Sequence, residues 1–204
     1  METIKPTARS LDSGRNAKHL SSYLSRHLLL CLTSILMLAG CSEQRPDLDN
    51  PITFQQDSLR FSYPGNWKII ENRKDEHIWY INLESPGTAV ITINIFDEVD
   101  TISTEEYAET VMAELESTFE GFIHVDKKSV AHRKTKAGDE IKIVSYYYTL
   151  DIATIKVPHL QRHRKITSDS QSLYMMTQTP IEDKALTSPG FKLINSSISL
   201  ANQN

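Results

Sequence analysis

An apolar run from Leu28 to Leu38 (Leu-Leu-Leu-Cys-Leu-Thr-Ser-Ile-Leu-Met-Leu), closed by Ala39-Gly40-Cys41, decides which part of this chain can fold as a domain. A helix that spans a bilayer needs about 18 to 20 apolar residues, and this run is too short to be one. Lys18, His19, Arg26 and His27 precede it and small residues follow, which is the order of a secretory signal that is cut away. Residues 1–17 are a long polar lead-in, into which no fold is read, and an internal translation start would shorten it. Cleavage between Gly40 and Cys41 leaves 164 residues, enough for one substantial core. Those residues carry 17 Lys and Arg against 24 Asp and Glu, a net charge of −7. An acidic domain argues against nucleic acid or anionic lipid as the main partner.

Leu38-Ala39-Gly40-Cys41 resembles the lipobox of bacterial lipoproteins. The resemblance implies that the Cys41 thiol becomes a thioether-linked diacylglyceride, carrying fatty acyl chains such as palmitate, before cleavage. Each buried methylene contributes about 0.8 kcal/mol, so several chains on one residue hold a protein to a membrane far more firmly than one. Ser42 stands where similar lipoproteins carry Asp as an inner-membrane retention signal, which implies the periplasmic face of the outer membrane. In a one-membrane bacterium the same signal implies the outer leaflet. The alternative is an ordinary cleaved signal in which Cys41 is incidental. With Cys31 removed and Cys41 acylated, no thiol remains for a disulfide, a thiolate metal cluster, a cysteine nucleophile or a redox pair.

Residues 41–51 are polar and punctuated by proline, and read as a flexible tether ahead of one domain at 52–204. Ile52–Gln56 and Leu59–Tyr63 alternate around Asp57-Ser58 as a hairpin. His77–Glu84 and Ala89–Phe96 form a second hairpin around Ser85-Pro86-Gly87-Thr88, with Ile91, Ile93 and Ile95 on one face. Ser103-Thr104-Glu105-Glu106 is a capping box that opens a helix. Its apolar stripe is Tyr107, Ala108, Val111, Met112, Leu115 and Phe119, and Gly121 ends it. Further strands are expected at 122–132, 139–151, 153–157 with 164–167, and 173–178. A short helix is expected from Ile181, broken by Ser188-Pro189-Gly190 before a closing helix at 191–198. The fold class is α+β, an antiparallel sheet with helices packed on it.

Phe61-Ser62-Tyr63-Pro64-Gly65-Asn66-Trp67 is similar to the opening of the PsbP-like domain family. The element order agrees, down to a terminal helix after Pro189-Gly190-Phe191, so the resemblance covers about residues 52–200. It implies an α/β/α sandwich. Its known members are mainly protein-binding modules, among them an extrinsic photosystem subunit and a eukaryotic factor that binds the Ran GTPase. No metal-site residue of the photosynthetic members maps onto this chain.

His159-Leu160-Gln161-Arg162-His163 has a spacing that puts two imidazoles on one metal when helical. Pro158 disfavours a helix there, and Arg162, Arg164 and Lys165 would repel a cation, so a solvated basic hairpin tip is expected and no metal. Glu105, Glu106, Glu109, Glu114 and Glu116 read as a solvated helix face. Ser145 and Ser172 lack a nucleophile-elbow motif, and no glycine-rich phosphate loop or cofactor signature is present. Trp67, Trp79, Tyr80, Tyr146, Tyr147 and Tyr148 read as core aromatics, with a ligand groove as the alternative. In a strand Tyr147 points opposite to Tyr146 and Tyr148, so an aromatic reaches beyond its own face. The expected partner contact is Tyr146, Tyr148, His159, Arg162, His163 and Arg164, approached by an acidic protein or a lipid head group. The sequence therefore reads as a non-catalytic module, held to the membrane through lipid on Cys41 and binding another envelope protein. A carrier or sensor of a small apolar ligand or lipid is the second reading, a hydrolase the third.

Overall fold

The computed structural model describes residues 45–99, 102–134 and 140–201, and Gly40 and Cys41 lie outside these described residues. Ten strands and two helices are described. The strands are β1 (Ile52–Gln56), β2 (Leu59–Tyr63), β3 (Lys68–Lys74), β4 (Ile78–Glu84), β5 (Val90–Phe96), β6 (Ile123–Lys134), β7 (Glu140–Ile152), β8 (Ile155–Thr167), β9 (Ser172–Pro180) and β10 (Ser199–Leu200). We label the helices α1 (Thr104–Thr118) and α2 (Lys184–Ser197).

A seven-stranded antiparallel sheet runs β3-β4-β5-β9-β8-β7-β6, and a smaller sheet runs β1-β2-β10. Register and burial assign the two faces of the large sheet. Trp79, Ile81, Leu83, Ile91, Ile93, Ile95, Leu173 and Met175 join Leu59, Phe61, Trp67, Phe191 and Ile194 in one core, beneath α2 and the small sheet. Val144, Tyr146 and Tyr148 face the other way and pack on Ala108 and Met112 of α1. The architecture is two antiparallel sheets with a helix on each face of the larger one.

The capping box closes as its spacing requires. Glu106 N–H donates to Ser103 Oγ at 3.1 Å and Ser103 N–H donates to Glu106 Oε2 at 2.8 Å. The helix ends at the Phe119 cap, and Gly121 takes a φ of 81° just beyond it, a conformation that costs glycine nothing.

Four expectations are corrected. Residues 45–50, read as tether, are hydrogen bonded to the turn that precedes β3. Gly65 N–H donates to Asp47 O at 3.0 Å, Asp47 N–H to Asn66 Oδ1 at 2.9 Å, and Asn66 Nδ2 to Arg45 O at 2.9 Å. Arg45 and Asp47 are therefore held against the domain. Strand β3 was not expected, because Lys-Ile-Ile-Glu-Asn-Arg-Lys is an edge strand whose alternation is broken by a bulge between Ile69 and Glu71. The two pieces at 153–157 and 164–167 are one strand, β8, and the basic tip placed between them lies mid-sheet. Pro158 is tolerated there because the last β9 pair is at His159, so no ladder bond calls for an N–H at the proline, while its carbonyl still accepts from Ile181 N–H at 2.8 Å.

The fourth correction is at Ser188-Pro189-Gly190, which lies inside one continuous α2. Packing overrides the local break. Thr187 Oγ1 and Ser188 Oγ donate to the carbonyls of Asp183 and Lys184 in the turn that precedes Pro189. Gly190 lets Trp67 lie on the helix, since a Cβ there would stand 2.8 Å from Trp67 Cη2. Phe191 then meets Trp67 edge-on, with centroids 5.6 Å apart. The aromatic-Tyr-Pro-x-x-Trp segment and the Pro-Gly-Phe segment are thus the two halves of one packing unit.

Candidate functional site

Strands β7 and β8 carry every expected partner-contact residue, and alternation divides them between the two faces. Tyr146, Tyr148, His159 and His163 face α1, whereas Tyr147, Leu160, Arg162 and Arg164 face the α2 side.

The α1 side is interior. Tyr146 and Tyr148 are buried and His163 is 1 % exposed, so these three are corrected from surface contacts to core residues. The reason is α1: its apolar stripe covers β7 and β8 at the positions where the sequence places polar rings. His163 Nε2 donates to Gln161 Oε1 at 2.8 Å, and Gln161 Nε2 donates to Gln178 Oε1 at 3.2 Å. That leaves Nδ1 as the lone-pair nitrogen, buried without a partner. Tyr107 and Tyr146 meet the imidazole edge-on at 6.1 and 6.3 Å. Burial pushes the His163 pKa down to about 4, so the ring is neutral at physiological pH.

Tyr107 stacks on Tyr174 at 4.2 Å and accepts from Asn94 Nδ2 at 2.6 Å. Burial pushes its phenol up to about 12 even though the Asn94 bond favours the ionised form. Tyr148 stacks on His159 at 5.1 Å, and His159 Nδ1 donates to Val157 O at 2.9 Å. Burial lowers the pKa of this half-buried imidazole. On a strand, residues four apart share a face but are separated by about 13 Å, so His159 and His163 cannot ligate one ion. Among the described residues no group of three or more His, Cys, Asp or Glu could hold a metal.

Arg164 is also buried and is corrected from contact to core. Its Nη1 donates to the Asn195 carbonyl at 3.2 Å, in the last turn of α2, which has no basic residue of its own. The guanidinium thus stands at the negative end of the helix dipole. Burial lowers its pKa to about 10, and Nε finds no partner. Sequence reasoning had no signal for this pair, because the two residues meet only through the packing of α2 on the sheet.

Arg162 is half-buried beside a small recess lined by Leu160, Thr177, Thr179, Lys184, Ser188 and Phe191, with about 10 Å³ of free volume. That is room for one water, far below the roughly 300 Å³ at which small-molecule sites begin. Ser145 lies on the α2 side, across the sheet from His163, so these two cannot act on one substrate. Trp67 and Trp79 are core residues, as expected.

What remains exposed near Arg162 is the face of β6 and β7 that no helix covers. Tyr147 and Ile143 of β7 and Arg162 of β8 are half-buried there, beside Lys127, Ala131 and Arg133 of β6. Lys127, Arg133 and Arg162 make no ion pair with a described residue. The expected aromatic beyond the core is therefore Tyr147, the member of the triplet that faces away from α1.

By sequence, the chain matches no protein-family model and no curated protein. By structure, it is similar to the cyanobacterial PsbP protein CyanoP of Synechocystis sp. PCC 6803, with a TM-score of 0.50 at 11 % identity, over 80 % of this chain and 98 % of that one. It is also similar to the Ran-binding protein Mog1p of Saccharomyces cerevisiae, with a TM-score of 0.44 at 7 % identity, over 75 % of this chain and 96 % of that one. At such identities only the fold follows: the PsbP-like fold implied by the Trp67 and Gly190 segments holds for this chain.

Proposed function

We propose that this chain is a lipoprotein of the bacterial cell envelope, anchored through Cys41, whose PsbP-like domain is a non-catalytic module that binds another envelope protein. The observation that carries the binding reading is the helix-free face of β6 and β7, where Tyr147 and Ile143 stand among Lys127, Arg133 and Arg162. Aromatics and arginines are the side chains that most often dominate protein contacts. The other polar groups of β7 and β8 are used in folding: His163 is bonded to Gln161 and Arg164 to α2. The lipobox and the short segment after it favour a position close to the bilayer, and Ser42 favours the periplasmic face of the outer membrane.

Cross-linking in intact cells, followed by membrane pull-down and mass spectrometry, tests the proposal. One envelope protein is expected with the natural chain, and its capture is expected to fall with Cys41→Ala and with Arg162→Glu. Capture that is indifferent to Arg162→Glu and Tyr147→Ser would remove the assigned face, and no specific capture at all would turn attention to co-purifying small molecules.

A further inference from the structure

Six of the eleven exposed large apolar residues among those described lie toward one end of the large sheet, while Ile52, Ile70 and Val130 lie on β1, β3 and mid-β6. Register aligns Lys68, Glu84, Val90, Gln178, Gln161 and Tyr146 in one row across it. Strands β7 and β8 continue past this row and past the last β9 pair at His159 and Pro180; β6 follows β7 as far as the Ile123–Leu150 pair and Asp151 N–H donates to Phe122 O, so that only the turn from Ile152 to Ile155 stands beyond its neighbours. Four residues beyond His159 is a reach of about 13 Å. At its tip Ile152 pairs with Ile155, which is 64 % exposed, around the two-residue loop Ala153-Thr154. Phe122, Val125 and Ile181 are exposed on the elements beside it, and Leu48 is exposed in the segment bound to the Gly65-Asn66 turn. At the opposite end, Val99 and Ile102 are the exposed large apolar residues among those described.

The segment that leads back to Cys41 enters at the same end as the hairpin. Arg45 and Asp47 are tied to Asn66, two residues before Lys68 in the row. Three residues, Ser42, Glu43 and Gln44, separate Cys41 from Arg45, and the four steps between them span at most about 14 Å. A lipid on Cys41 would therefore hold this end against the membrane, within reach of a hairpin that projects a similar distance. Charge at the tip is mixed: Lys156 and His124 both approach Asp151, at 3.6 and 3.4 Å. Attraction to anionic head groups is not the driving force such a surface suggests. An apolar tip with paired charges suits the interfacial layer of the bilayer itself.

We infer that the β7–β8 tip, with Ile152 and Ile155 at its apex, docks into the bilayer that holds the Cys41 lipid and orients the domain with its Val99 end outward. This rests on the reading of Cys41 as lipidated. The processed, lipidated protein is reconstituted into vesicles of equal parts phosphatidylethanolamine and phosphatidylglycerol, and separately into phosphatidylcholine vesicles. Ile155→Cys or Val99→Cys carries a polarity-sensitive fluorophore, and circular dichroism checks that each variant is folded. The expected result is a blue shift and quenching by brominated lipid at position 155, alike in both vesicle types, and neither effect at position 99. Intact mass is read on the same samples. An acylated protein whose label at 155 stays as wet as that at 99 overturns the docking and leaves the anchor standing. A protein without acyl mass overturns both. A label at 155 that is shielded in cells but wet in vesicles shows that a protein covers the tip, and overturns the lipid as its occupant.

Discussion

The two faces of the large sheet are packed by different chemistry. On the α2 side, Ile81, Ile91, Ile93, Ile95 and Leu83 make a dry aliphatic core closed by Trp67 on Gly190. On the α1 side, Tyr107, Tyr146, Tyr148 and Tyr174 enclose a polar chain, His163–Gln161–Gln178, in which one ring nitrogen has no partner. The first kind of core is stable at any pH that spares the rest of the protein, whereas the second depends on a neutral imidazole. The hydrophobic effect dominates the first, with Arg164 against the end of α2 as its buried charge, and the second adds a chain of buried polar groups bonded mostly to one another.

The largest effect expected is on the dry side. Trp67→Ala removes the ring that joins α2 to the sheet and is expected to cost about 3–5 kcal/mol in urea unfolding followed by circular dichroism.

The polar side is probed by pH. The folded protein keeps His163 neutral down to about 4, whereas an unfolded histidine takes up a proton below about 6.5. Between these values the unfolded chain binds more protons, so stability falls as pH drops through the window, by about 3 kcal/mol in all. Comparing urea midpoints at neutral pH and near the lower limit should show that His163→Gln loses this part of the dependence. An unchanged dependence would mean that the imidazole is not sealed from water.

Gly190→Ala pushes a methyl group into Trp67 and is expected to cost about 1–3 kcal/mol, less when combined with Trp67→Ala, because the clash is then gone. Ser103→Ala opens the capping box at the start of α1, at about 1 kcal/mol. Amide exchange should locate that loss on the first turn of α1 and leave α2 unaffected. Arg164→Met is expected to change stability least, within about 1 kcal/mol or slightly upward, because the desolvation of a buried cation is lost together with its bond to Asn195. A loss of several kcal/mol on that change would show that the cation is needed at the end of α2.

Legibility in the sequence follows the same division. Strand β2 and hairpin β4–β5 stand out because one face buries apolar residues at period two, and the α1 capping box stands out because Ser103 and Glu106 satisfy each other locally. Strand β8 defeats the same reasoning. His-Leu-Gln-Arg-His-Arg alternates in position but not in polarity, since both of its faces are covered and both use polar side chains. Helix α2 defeats it too, because the Ser-Pro-Gly break is overruled by a tryptophan that lies 123 positions earlier in the chain. The candidate site was legible only in part. Tyr147 follows from alternation once Tyr146 is placed inward, but the choice of which face a helix covers is made by tertiary packing. Strand pairing likewise brings the β7–β8 tip to the end where the chain enters, and spacing along the sequence does not show that meeting.

The central claim, that this domain works from a membrane anchor at Cys41, is tested most directly by the intact mass of the mature protein extracted from the cell envelope. A chain that begins at Cys41 and carries the added mass of a diacylglyceryl group is the result the account predicts. An unmodified cysteine, or a chain that begins elsewhere, would contradict it and release the domain from the bilayer.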